Sequence, residues 1–213
     1  MKITPMTIGA FSTCSYIVES GCAVTLIDAP AEAEKIIQVL KDRDITPGLV
    51  ILTHGHFDHV LALGKLKREY PDLKIAVSEK DAVYLSDGGE RISGDIALFD
   101  TGSFYNRMTS LLPVPGADIL LSDGDEIADF RVIGTPGHTK GSICLYSEKE
   151  KVIFTGDTLF SGSIGRTDMP GGSYRDICSS LTKLKALPGD TAVFPGHGPS
   201  TTIANEVKNN PYM

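Results

Sequence analysis

No stretch of this 213-residue chain approaches the roughly 18 consecutive apolar residues that a membrane-spanning helix requires. The first ten residues, Met1 to Ala10, carry one lysine and no extended apolar core, so they lack the make-up of a secretory signal. A cytoplasmic protein with no membrane partner is expected. Basic residues are in deficit: 20 Lys+Arg stand against 27 Asp+Glu, a formal net charge of −7. A surface of that sign repels phosphate backbones and argues against nucleic acid as the substrate. The four cysteines, Cys14, Cys22, Cys144 and Cys178, include no C-x-x-C pair. That argues against a thiolate zinc site or a redox motif and for reduced, mostly buried thiols. There is also no low-complexity linker and no repeat of fixed period.

What is present is enough apolar residue for a core, 41% of the chain. Short β-branched runs predict strands at Ile3–Ile8, Tyr16–Glu19, Ala23–Ile27, Leu49–Leu52, Lys74–Val77, Ile119–Leu121, Phe130–Ile133, Ser142–Tyr146, Val152–Phe154 and Ala192–Phe194. The short turns between the early strands predict antiparallel neighbours. Helical spacing covers Ala31–Arg43, Phe57–Glu69, Glu79–Tyr84, Tyr174–Ala186 and Ile203–Lys208. Strands and helices on one core imply an α+β protein, with sheets packed together and helices outside. Residues Ser86–Pro113 read as irregular, either a pocket wall or lid or a surface insertion.

The sharpest feature is Thr53-His54-Gly55-His56-Phe57-Asp58-His59, directly after the apolar run Leu49–Leu52. Imidazole and carboxylate are the ligands that borderline divalent metals prefer. A turn through Gly55 can aim His54 and His56 at one ion, while Asp58 and His59 on a first helical turn can face another. Three further strand ends run into glycine turns that each carry one such side chain: Gly137-His138, Gly156-Asp157 and Gly196-His197. Singly these are weak signals. Jointly they are strong, because all five histidines of the chain fall in these positions. Packing such groups together without a metal would cost desolvation and repulsion.

In order, T-H-x-H-x-D-H, G-H, G-D and G-H resemble the metallo-β-lactamase-fold hydrolases over essentially the whole chain. Within that family the chain is most similar to the short glyoxalase II-like hydrolases. The similar stretches are Gly156-Asp157-Thr158-Leu159-Phe160, Gly165-Arg166-Thr167-Asp168, the run Gly196 to Ile203, and the closing Asn210-Pro211-Tyr212. The resemblance implies a single domain over 1–213, a four-layer αββα sandwich of two mixed β-sheets flanked by helices. It implies two divalent metal ions, with zinc first and iron or manganese as alternatives. His54, His56 and His138 would hold one; Asp58, His59 and His197 the other; Asp157 would bridge them. Asp58 and Asp157 are then the catalytic carboxylates. Asp28 would brace the ligand loop from behind, or else cap the helix that follows it. Arg166 aligns with a basic residue that binds the substrate carboxylate.

The implied activity is cleavage of a thioester of the hydroxyacylglutathione (S-lactoylglutathione) type by a hydroxide bridging the metals. The histidine count fits a thioester. If all five are ligands, none remains to protonate an amine or alkoxide leaving group, whereas a thiolate leaves unaided. The sequence departs from full-length glyoxalase II in lacking its C-terminal helical region and in placing Gly198-Pro199 after the last histidine. The thiol half of the substrate, including glutathione itself, therefore stays open. Competing readings are an iron-dependent persulfide dioxygenase, holding one ferrous ion on two histidines and a carboxylate, and a lactonase or other ester hydrolase of the same fold.

Overall fold

The computed structural model describes residues 1–213. It divides into two compact units, Met1–Leu120 and Leu121–Met213. Each contains a mixed sheet with helices, an α+β organisation. No helix is long and apolar enough to cross a membrane.

In the first unit, β1 (Lys2–Ile8), β2 (Thr13–Ser20) and β3 (Ala23–Ile27) form an antiparallel meander, as the short turns predict. Six of the eight residues of β2 are buried, because both of its edges are paired. The chain then crosses through α1 (Ala33–Asp42) to β4 (Leu49–Ile51), parallel to β3. The helix buries Ile36, Ile37 and Leu40 and carries Glu34 in its first turn and Lys41 in its last, an arrangement that suits the helix dipole.

Residues 57–69, predicted as one helix, form two: α2 (Phe57–Val60) and α3 (Leu63–Glu69). The cause is a tertiary insertion. The Ala29 N–H donates to the His59 carbonyl at 2.7 Å, and the Ala62 N–H donates to the Ala29 carbonyl at 2.9 Å. Ala29 thus takes bonds that a continuous helix would make within itself. Next come β5 (Lys74–Ser78), parallel to β4, and α4 (Val83–Ser86), which starts later than the helix expected from Glu79.

The segment 86–113 is not irregular. It holds α5 (Glu90–Ala97) and α6 (Ser103–Thr109). Asp87 accepts from the N–H groups of Gly89 and Arg91 at the start of α5, and Asp100 accepts from the Tyr105 N–H in α6. Ile92 and Ile96 bury one stripe of α5. β6 (Ile119–Leu121) completes the six-stranded sheet, ordered β1-β2-β3-β4-β5-β6.

The second unit runs β7 (Glu126–Ile127), β8 (Phe130–Gly134), β9 (Ile143–Ser147), β10 (Val152–Gly156), a small hairpin of β11 (Leu159–Phe160) and β12 (Ser163–Ile164), α7 (Tyr174–Lys185), β13 (Ala192–Pro195), β14 (Thr201–Thr202) and α8 (Ile203–Asn209). The sheet order is β14-β13-β10-β9-β8-β7. Only the β10–β13 pair is parallel. Helix α7 starts where the Ser173 hydroxyl accepts from the Asp176 N–H, and it buries Ile177, Leu181 and Leu184 at helical spacing. The last two pack with Cys144, Tyr146, Ile153 and Val193 in the core of this unit. All four cysteines are free thiols: Cys14 and Cys144 are buried, Cys178 is partly covered and Cys22 is exposed.

Candidate metal centre

The first unit places four candidate ligands in the turn from β4 into α2. His54, His56 and His59 are almost wholly buried. The His54 ring lies 4.9 Å from that of His56 and 4.2 Å from that of His59, centroid to centroid. Glycine is required between the first two. A Cβ on Gly55 would lie 2.8 Å from Tyr84 Cβ and closer still to its ring. Asp58, on the first turn of α2, accepts from the Thr13 hydroxyl at 3.0 Å and holds its Oδ2 3.6 Å from His59 Nε2.

Behind these ligands stands Asp28. It lies at the end of β3 with φ 59°, a left-handed conformation that Asp tolerates better than most residues. Its carboxylate accepts from the Thr53 N–H at 2.7 Å, the Thr53 hydroxyl at 2.8 Å and His59 Nδ1 at 2.8 Å. It does not cap α1, which has no side-chain cap. Since the Thr53 hydroxyl donates to Asp28, its oxygen accepts from His54 Nδ1, 3.1 Å away. The network thereby puts the ring proton of both His54 and His59 on Nδ1 and leaves Nε2 as the electron-pair donor.

Two further carboxylates lie beside the loop. Asp81 accepts from the Gly55 N–H at 3.0 Å. Asp95, on α5, lies 3.9 Å from His56 Nε2, and burial pushes its pKa up to about 7. Neither stood out in the sequence. Asp81 lies in a segment read as a helix, and Asp95 in the segment read as irregular, where spacing carries no signal for a partner some forty residues away.

The second unit gathers its three candidates at the ends of separate strands. His138 follows β8, Asp157 follows β10 and His197 follows β13. His138 Nε2 and His197 Nε2 each lie 3.5 Å from Asp157 Oδ2. His138 Nδ1 donates to the Arg166 carbonyl at 2.8 Å, so here too Nε2 faces the carboxylate. Gly137, at φ +140°, lets the loop pass α7, since a Cβ there would collide with the Ile177 backbone. The Arg166 guanidinium is gripped by both oxygens of Asp168 at 2.7 and 2.8 Å, and that pairing holds the Asp168 carboxyl down at about 2.

All seven side chains are of types and placements able to hold a metal ion. The donor sets fit borderline divalent cations: imidazoles, with Nε2 as the presented lone pair at His54, His59 and His138, and carboxylates at their side. Buried imidazoles in contact with one another, braced by a carboxylate from behind, are the arrangement in which metal-binding histidines are found.

Comparison with known proteins agrees. Residues 8–197 match the Metallo-beta-lactamase superfamily. The chain is 35% identical to the hydroxyacylglutathione hydrolase GloC of Haemophilus influenzae, over all of this chain and 97% of that protein. Among solved structures it resembles TTHA1623 in a di-iron-bound form, with TM-score 0.82 and 33% identity over 99% of this chain and all of that one. It also resembles the B3 metallo-beta-lactamase BLEG-1, with TM-score 0.86 and 32% identity over 99% of both chains. With these matches added to the two mixed sheets and the candidate metal-binding side chains at their strand ends, the chain belongs to the metallo-beta-lactamase superfamily and is one of its metallohydrolases.

Proposed function

We propose that this protein is a binuclear thioester hydrolase of the hydroxyacylglutathione type. In this reading His54, His56 and His138 hold one divalent ion, Asp58, His59 and His197 hold a second, and Asp157 serves both. The bound ions supply an activated water and a Lewis acid for the thioester carbonyl. The chain's own groups do the rest. Asp28 and Thr53 fix the tautomers of His54 and His59, Thr13 orients Asp58, and the Arg166 carbonyl orients His138. Arg166 offers its exposed guanidinium to a substrate carboxylate in exchange for Asp168.

The observation that carries the reading is that all five histidines fall in the side-chain groups able to hold a metal ion. None is left to protonate a leaving group, which favours a thiolate. The full-length similarity to GloC supports the same substrate class. Zinc is the first expectation for the metal, and the di-iron form of TTHA1623 makes iron the alternative. The substrate is a small molecule, and neither nucleic acid nor a membrane is a partner.

The test is metal quantification on purified protein together with anaerobic turnover of S-D-lactoylglutathione. Two metals per chain and thiol release without oxygen are expected. One iron per chain, with oxygen uptake on a persulfide, would instead establish the dioxygenase reading. Arg166→Ala is expected to raise KM several-fold with little change in kcat, the signature of lost ground-state binding.

A further inference from the structure

Beside Asp58 the first unit holds a cavity of about 250 Å3. That exceeds the roughly 150 Å3 of an apolar cavity that takes up benzene. Its apolar walls are Phe11, Phe57, Leu61, Phe104, Met108 and Leu111, contributed by the β1–β2 turn, α2 and the residue after it, and α6 and the turn that follows it. The rings brace one another. Phe11 meets Phe57 edge-to-face at 5.2 Å and Phe104 at 5.7 Å. The walls are thus set by mutual packing and stand ready for a ligand.

The charges around the cavity do not make it an ion site. Glu32 and Glu34 are paired with Lys35 and Lys65, and the Arg107 guanidinium lies 5.7 Å above the Phe104 ring. Asp58 and Thr13 lie in the same wall. A chain seated among the rings therefore ends against a candidate metal ligand. A lactoyl group carries a single methyl and a hydroxyl, and would leave most of this apolar volume unused.

We infer that this cavity seats an apolar acyl chain, so that the protein also takes thioesters of unsubstituted acyl groups and cleaves them better as the chain lengthens to several carbons. The inference rests on the thioester reading above. Each added methylene is then buried on binding. A gain of about fourfold per methylene is expected in kcat/KM, which is the ~0.8 kcal/mol of a buried CH2 converted to a rate ratio.

The experiment compares acetyl, butanoyl, hexanoyl and octanoyl thioesters of N-acetylcysteamine on the metal-loaded full chain, with calorimetric titration of octanoate as a readout independent of turnover. Leu111→Trp fills the cavity from its exposed edge, and Ser110→Trp does so from the same wall should the first variant not fold. The expected result is a rising series in the native protein, a flattened one in the filled variant, and octanoate binding weakened at least tenfold by the substitution. A series indifferent to chain length, or one that rises unchanged in the filled variant, overturns the inference. If no thioester is cleaved while octanoate binding is still blocked by the tryptophan, the cavity assignment stands and the thioester reading falls. If octanoate does not bind the native protein, the assignment falls whatever the activity.

Discussion

The two units assemble candidate ligands of the same chemistry by opposite routes. The first packs three histidines and an aspartate into six residues after one strand, and carboxylates then hold this loop: Asp28 against His59 and Asp81 against the Gly55 N–H. The second draws His138, Asp157 and His197 from three strand ends and meets them at Asp157. Its histidine brace is main chain, the Arg166 carbonyl. Crowded ligands repel and must be fixed by added charge. Dispersed ligands are fixed by sheet register, which β8, β9, β10 and β13 already supply.

The comparison can be broken at several points. The largest effect is expected at the meeting residue of the second unit. Asp157→Ala removes the carboxylate both histidines face, and kcat/KM is expected to fall by at least about 1000-fold, or about 4 kcal/mol, with loss of bound metal. Kinetics and elemental analysis check it, and a variant that keeps full activity refutes its role. Asp28→Asn attacks the side-chain brace of the first unit. Metal affinity and turnover are expected to drop about 10–100-fold, measured by competition with a chelator. At His138 no equivalent substitution exists, because its brace is a main-chain carbonyl.

Backbone tolerance separates the units next. Gly55→Ala drives a methyl into Tyr84 and is expected to cost about 1–3 kcal/mol of stability. Gly198→Ala meets nothing within 4 Å and is expected to cost only about 1 kcal/mol for its positive φ. Thermal melts of the two variants decide. The mildest contrast lies in the thiols. Cys22 is exposed, whereas Cys144 is buried with its pKa pushed up to about 11 by that burial. At pH 8 a thiol reagent is expected to modify Cys22 rapidly and Cys144 only after denaturation, as mass spectrometry of the peptides would show.

Much of this organisation is legible in the amino-acid order, and the exceptions share a cause. Ala23–Ile27 and Tyr174–Lys185 match their predicted spans within a residue, because alternation and helical spacing are local properties. The break between α2 and α3 was invisible, since it comes from Ala29, some thirty residues earlier. Helices α5 and α6 were hidden by Gly88, Gly89, Gly94 and Gly102, whose low helix propensity is offset by Asp87 and Asp100 at the starts and by Ile92 and Ile96 beneath. Strands β7, β11, β12 and β14 are two residues each, too short for any period. Around the site, candidate ligands announce themselves by residue type and flanking glycine. Thr13, Asp81 and Asp95 do not, because their roles exist only through partners distant in the chain.

Asp28 ties one further thing together. Its own N–H donates to the Ile51 carbonyl, which holds β3 beside β4, while its carboxylate reaches Thr53 and His59. Peeling those strands apart would pull the acceptor from the His59 imidazole, free the ring to change tautomer, and release the Thr53 hydroxyl that steadies His54. Ligand chemistry and strand pairing in the first unit thus rise and fall as one event, and a cation gripping these histidines would also be a clamp on the sheet behind them.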